Sequence, residues 1–243
     1  RTKIETFTVP FALGEIKENI TINTTNTTIK PSEEQIINQA IKFHQEGNIS
    51  KATKYYQYFI DQGFNDHRVL ANYGNILKDR GNLKEAELLQ RKAIKTKPDF
   101  ANAHYNLGNI LNLIGKLQEA ECSYKKAIKI KPNYAKAYCN KSNVLRDMGK
   151  LEEAEFSILK AIELNPDLPM LNSNLGAILK DLGKLKEAEL SQRKAIELNP
   201  RLANAHSNLG NILRDLGKLQ DAEIAQRNAI KIKPDYSEAH YNL

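Results

Sequence analysis

The chain has 243 residues, 41% hydrophobic and 27% charged, a balance of a globular rather than a disordered chain. No run approaches the ~18 apolar residues of a membrane span, and no basic stretch followed by an apolar run marks a secretory leader. The net charge of +7 and isoelectric point of 9.2 point to basic surface. The surplus centres on RKAIKTKP and KKAIKIKP, which read as solvated last turns of helices in preference to a patch for nucleic acid or acidic partners. Two cysteines, Cys122 and Cys139, form no CxxC and have no histidine at ligand spacing. They read as free thiols in a reducing, cytoplasmic setting.

Residues 1–31 form a segment of different character. TFTVPFALGEIKENITINTTNTTIK is rich in Thr and β-branched residues, with Pro10 and Gly14 as breakers. It is expected to be a non-repeat arm, either disordered or laid as an extended piece on the first repeat. Asn19, Asn23, Asn26 and Asn48 open N-x-S/T triplets that read as chance matches in an Asn/Thr-rich tract. Ser32 and Gln35 then make a capping box, which predicts a helix start.

From here to the end the sequence copies itself. The unit ANAHYNLGNILNLIGKLQEAECSYKKAIKIKPNY, from Ala101 to Tyr134, recurs with a 34-residue period. The boundaries are 33–66, 67–100, 101–134, 135–168, 169–202 and 203–236, with a partial unit at 237–243. Apolar residues Ala103, Leu107, Ile110, Leu111 and Ile114 follow helical spacing and predict a first amphipathic helix. Gly115 permits a tight turn. Leu117, Ala120, Tyr124, Ala127, Ile128 and Ile130 predict a second helix, which Pro132 ends. The opening unit is a degraded copy, with Phe59 at the second small position and Phe64 at the closing proline. Terminal repeats are expected to be atypical, because one face lacks a neighbour.

These residues resemble the tetratricopeptide repeat family, which wants a small residue at position 8, Gly near 15, Ala at 20 and 27 and Pro at 32. In the unit from Ala101 those are Gly108, Gly115, Ala120, Ala127 and Pro132, and the set recurs in the five units from His67 to Tyr236. The resemblance implies an all-α, right-handed TPR superhelix, an α-solenoid of antiparallel helix pairs over 32–243. It also implies first helices that line a concave groove and capture a protein or peptide. Two departures stand out. Position 24, a bulky aromatic in the family, is Gln90, Gln192 and Gln226 in three units. Position 4 is His104, His206 and His240, which read as packing residues, because neighbouring repeats lie ~10 Å apart and ligand bonds are ~2 Å long.

Asparagine recurs at position 6 of every unit: Asn38, Asn72, Asn106, Asn140, Asn174, Asn208 and Asn242. Position 9 adds Asn75, Asn109, Asn143 and Asn211, three residues on and so on the same helix face. Asparagine is a mediocre helix former, so the repetition needs a reason. A primary amide has donors and an acceptor with which to grip a peptide backbone whatever its side chains. In this the array resembles the TPR superhelix of O-linked N-acetylglucosamine transferases; bonding between neighbouring repeats is the competing role. Lys78-Asp79, Arg146-Asp147, Lys180-Asp181 and Arg214-Asp215 at positions 12 and 13 would border the same groove. The basic residue that a carboxylate clamp needs at position 5 is missing: Ala71, Tyr105, Cys139, Ser173 and Ser207 stand there.

No phosphate loop, nucleophile elbow or zinc-protease helix is present, so an enzyme is not expected, nor are a cofactor or a metal. The function expected is a peptide-binding scaffold outside the membrane. The rival readings are the substrate-recognition arm of a longer glycosyl-, sulfo- or methyltransferase, and, less favoured, an RNA-binding helical repeat. The chain starts at Arg1 and stops inside a helix at Leu243, which leads to the expectation of further sequence on both sides and of end-to-end self-association through an uncapped last repeat.

Overall fold

A computed structural model describes residues 4–8, 19–23 and 31–243. Strands β1 (Ile4–Thr8) and β2 (Asn19–Asn23) pair antiparallel with each other, with Ile4 opposite Asn23 and Thr8 opposite Asn19. The rest of the expected arm lies outside the described residues.

Thirteen helices come after the strands among the described residues, two in each of six repeats and one in the partial seventh. The first helices are α1 (Glu33–Gln45), α3 (His67–Asp79), α5 (Ala101–Leu113), α7 (Ala135–Asp147), α9 (Pro169–Asp181), α11 (Ala203–Asp215) and α13 (Ser237–Asn242). The second helices are α2 (Ile49–Asp61), α4 (Leu83–Thr96), α6 (Leu117–Ile130), α8 (Leu151–Leu164), α10 (Leu185–Leu198) and α12 (Leu219–Ile232). The array is all-α, as the period and the breakers require.

The helix ends are dictated by the sequence. Ser32 caps α1 by the expected box: its hydroxyl accepts from the Gln35 backbone, and the Gln35 side chain accepts from the Ser32 backbone. The first helices from α1 to α11 each close on a glycine. At Gly183 (φ 75°) the glycine N–H donates to the Lys180 carbonyl and the Lys184 N–H to that of Leu179, a left-handed cap that disfavours any side chain. The second helices stop because the residue before proline is driven out of the helical region. Asn199, before Pro200, has φ −145° and ψ 95°. The degraded first repeat lacks that proline, and Gly63 (φ 78°) ends α2 by the glycine device instead.

Two compact units divide the chain, Arg1–Ile110 and Leu111–Leu243. In the first, Tyr56 and Phe59 of α2 are buried with Ile36, Ile37, Val69 and Ile76. In the second, α8 packs on α7 and α9, α10 on α9 and α11, and α12 on α11 and α13. Its small-residue positions are closed to solvent: Ala154, Ala161, Ala188, Ala195 and Ala229 are fully buried. Small residues there let the helix axes approach until side chains interdigitate at interior density.

Candidate functional site

In the second unit the first helices lie side by side, α7 against α9 and α9 against α11. Positions 6, 9 and 12 form a row along them. Asn140, Asn143, Asn174, Asn208 and Asn211 are all half-buried, as are Asn72, Asn75, Asn106 and Asn109 in the first unit; Asn38 is exposed. The row also bonds across repeats. Asn174 Nδ2 lies 3.2 Å from Asn143 Oδ1 and 3.4 Å from Cys139 Sγ, both on α7. Asn208 Nδ2 lies 3.5 Å from Ser173 Oγ of α9, a long and weak contact. Asn174 Oδ1 has no partner among the described residues. The donor half of that amide is therefore taken up by a neighbouring repeat and the acceptor half is not. Asn72 differs, being bonded to the buried Tyr56 hydroxyl. Asn211 also differs: its Oδ1 accepts from Gln226 Nε2 at 3.0 Å, so its acceptor turns toward its own repeat.

The position-12 cations are partly tied down. Arg146 pairs with Asp181 of the next repeat at 2.5 Å, and Lys180 with Asp215 at 3.3 Å. Lys78 pairs with its neighbour Asp79 at 2.9 Å, and Arg214 reaches Asn242 Oδ1 at 3.5 Å. The positive charge expected along the row is thus met by aspartates one residue further on.

Both departures from the family pattern have a physical account. Gln90, Gln192 and Gln226 are buried, and each Nε2 donates to a first-helix carbonyl of its own repeat: Ala71 at 2.8 Å, Ser173 at 2.8 Å and Ser207 at 3.1 Å. Each Oε1 has no partner among the described residues. The glutamine fits because position 8 is glycine. A Cβ on Gly176 would stand 2.6 Å from Gln192 Nε2, and one on Gly210 2.6 Å from Gln226 Nε2. The histidines at position 4 are staples. His104, His206 and His240 place Nε2 at 2.9, 3.0 and 2.7 Å from the carbonyls of Pro98, Pro200 and Pro234. Each ties a first helix back to the loop that precedes it.

A second row had no counterpart in the reading of the sequence. Lys150, Lys184 and Lys218, each at the N-cap of a second helix, reach back to Glu121, Glu155 and Glu189 of the preceding second helix at 3.0, 2.8 and 2.7 Å. The constant separation of 29 residues was the available signal. Burial raises the Glu121 carboxyl, but bonds from Lys125 and Lys150 outweigh it and hold the group below the ordinary carboxylate range. Glu189 is held low mainly by its bond from Lys218, with Arg193 adding to it. Neither Cys122, exposed, nor Cys139, buried, is in a disulfide. Among the described residues no helix is long and apolar enough to cross a membrane.

Family profiles described as tetratricopeptide repeat match residues 101–134, 135–168, 171–202 and 192–224, and one described as TPR repeat matches 74–115. Comparison with curated proteins returns no match. Among solved structures, YrrB, described as a TPR protein with an unusual peptide-binding site, aligns with TM-score 0.62 at 24% identity, covering 76% of this chain and 96% of that one. MamA from Desulfovibrio magneticus RS-1 aligns with TM-score 0.64 at 19% identity over 70% of this chain and 97% of that one. PilF of Pseudomonas aeruginosa aligns with TM-score 0.72 at 16% identity over 86% and 95%. With the profiles spanning most of residues 74–224 and the small-residue, glycine and proline positions in register, the chain belongs to the tetratricopeptide repeat family.

Proposed function

We propose that this TPR protein is a binding scaffold that captures an extended segment of a protein partner along the first helices, in the cytoplasm and without chemistry of its own. The observation that carries the reading is the half-buried asparagine row, in which Asn174 keeps an acceptor free while its donors are held by Asn143 and Cys139. Asn106, Asn140 and Asn208 occupy the same position in their repeats and supply the same chemical group. Such amides pair with a peptide backbone without regard to its side chains, so many bonds of ~1 kcal/mol each give breadth of partner choice. Arg146, Lys180 and Arg214 border the row in the second unit, and Lys78 holds the same position in the first; their aspartate partners make them positioned donors rather than bare charge. The peptide-binding site described for YrrB adds weight, since that protein shares this fold.

The test is a peptide selected from a displayed random library against the intact chain, then titrated into the variant Asn140→Ala/Asn174→Ala/Asn208→Ala, all within the second unit. Loss of roughly three backbone-directed bonds predicts weakening of about a hundred-fold with unchanged far-ultraviolet circular dichroism. Full affinity in the triple variant would refute the reading, and loss of helicity would assign the row to inter-repeat structure alone.

A further inference from the structure

A groove of about 540 Å3 lies between the C-terminal ends of α2 and α4, within the first unit. Its lining is apolar at Ile60, Phe64 and Leu70 and cationic at Lys92 and Lys95. No aspartate or glutamate among the described residues lines it. Leu70 is buried, and Ile60 and Phe64 are half-buried against the core of this unit. Phe64 packs on Phe59, with ring centroids 5.3 Å apart. Thr96 Oγ1 donates to Asn65 Oδ1 at 3.1 Å, which joins the end of α4 to the loop after α2.

The two lysines differ from their counterparts. They stand at positions 26 and 29 of their repeat, three residues apart and so on one helix face. In the fourth and fifth repeats those positions hold Lys160 with Glu163 and Lys194 with Glu197, closed ion pairs of 2.6 and 3.1 Å. In the second repeat Lys95 takes the place of the glutamate, so Lys92 stands one turn from a like charge. Neither lysine has an ion pair among the described residues. The loop supplies no anion either: position 33 is Asp99, Asp167 and Asp235 in other repeats but Asn65 here. The aspartates that flank the loop are engaged elsewhere. Asp61 accepts from Gln57, and Asp66 pairs with Arg68 and caps α3.

We propose that this groove docks an acidic peptide segment of a partner protein. One large apolar side chain of the segment enters beside Ile60, Phe64 and Leu70, and flanking carboxylates pair with Lys92 and Lys95. Charge complementarity selects the acidic occupant: two like charges one turn apart, without the glutamate that neutralises such a lysine in other repeats, gain from an anion brought by a partner. The apolar lining selects a protein over a nucleic acid, whose sugar–phosphate backbone has no aliphatic side chain to bury against Ile60 and Leu70. The lining includes no asparagine of the first-helix row, so the proposal does not rest on the function proposed for that row.

The test titrates the full chain into a fluorescein-labelled peptide with one leucine between two pairs of aspartates, followed by fluorescence anisotropy at low salt. The expected result is binding that weakens about ten-fold when the aspartates become asparagines, and about ten-fold when the leucine becomes serine. Lys95→Glu should abolish the advantage of the aspartate peptide. It installs the glutamate found at this position in the fourth and fifth repeats, so folding is not at stake. Lys129→Glu makes the same change of charge at position 29 of the third repeat and should leave binding unchanged. No measurable binding, equal binding of the aspartate and asparagine peptides, equal binding of the leucine and serine peptides, or an advantage that survives Lys95→Glu overturns the proposal. So does an equal loss in Lys129→Glu, which would assign binding to overall charge. Preference for a single-stranded RNA over the aspartate peptide overturns it too, as does loss of binding on Asn75→Ala, which would move the peptide to the first-helix face.

Discussion

Inside a helix, replacing glycine by alanine normally stabilises by ~1 kcal/mol, because the backbone loses freedom in the unfolded chain. At Gly176 the sign should reverse. The added Cβ would stand 2.6 Å from Gln192 Nε2 and 3.0 Å from its Cγ and Cδ. Gln192 is fully buried, and its Nε2 is held by the Ser173 carbonyl at 2.8 Å, so the side chain has no room to swing aside. Overpacking of this kind costs ~1–3 kcal/mol, and losing the amide–carbonyl bond adds ~1 kcal/mol. Against the helix gain, the net is a destabilisation of ~1–3 kcal/mol, or ~2–4 °C in Tm per kcal/mol for a chain of this size. In a Gln192→Ala background the obstacle is gone, and the same Gly176→Ala change should stabilise by up to ~1 kcal/mol. Urea unfolding followed by circular dichroism, with hydrogen exchange of the α9 amides as a local probe, measures both legs of the cycle. A neutral or stabilising Gly176→Ala in the parent chain, or the same sign in both backgrounds, would refute the packing argument.

The inter-repeat bonds lead to three further outcomes. Lys150→Met should destabilise the second unit by ~1–2 kcal/mol, because Glu121 is 5% exposed and keeps only Lys125; an unchanged urea midpoint would count against it. Glu121 and Glu189 are held below the ordinary carboxylate range, so their stabilisation is complete above the unfolded-state value. It is lost as pH falls through the lower folded-state value. The urea midpoint should therefore drop in acid, and Glu121→Gln with Glu189→Gln should flatten that drop; an identical acid profile in the double variant would refute it. His206→Leu should cost ~0.5–1.5 kcal/mol by removing the bond to Pro200, and added Zn2+ should leave Tm unchanged in both chains. A zinc-dependent rise in Tm that the variant abolishes would return the histidines to a metal role.

Fold and site differed in how far they could be read from residues alone. The 34-residue period, the glycines at the turns and the alanines at helix crossings lie within one or two repeats of sequence, and local sterics decide them. Even the degraded first repeat was legible, except that Gly63 rather than a proline ends α2. The site depends on what a neighbouring repeat supplies. Asn174 and Asn211 are the same residue type on equivalent helices, yet one bonds across to α7 and the other back to Gln226. The two stand at different positions of their repeats, 6 and 9, and both repeats carry glutamine at position 24: Gln226 reaches Asn211 at position 9, where the repeat of Asn174 has Ala177. The glutamines stand out in the pattern as buried amides in need of partners, but the partner is a backbone carbonyl, which no pattern of side chains reveals. The lysine–glutamate row was written in the chain at constant spacing. It becomes an interaction only once second helices are known to lie beside the next repeat's turn.

That lysine–glutamate row makes the mechanical linkage between repeats of the second unit responsive to dissolved ions. Stacked arrays melt as coupled segments, with cooperativity set by how strongly each segment feels the next. Part of that grip here is a lysine about 41% exposed closing on a carboxylate, an attraction that electrolyte weakens. Urea at low ionic strength should unravel this unit in a sharper step than guanidinium chloride, which screens charge as it denatures. A cell could then loosen or stiffen the scaffold through its salt content, with no change in the chain.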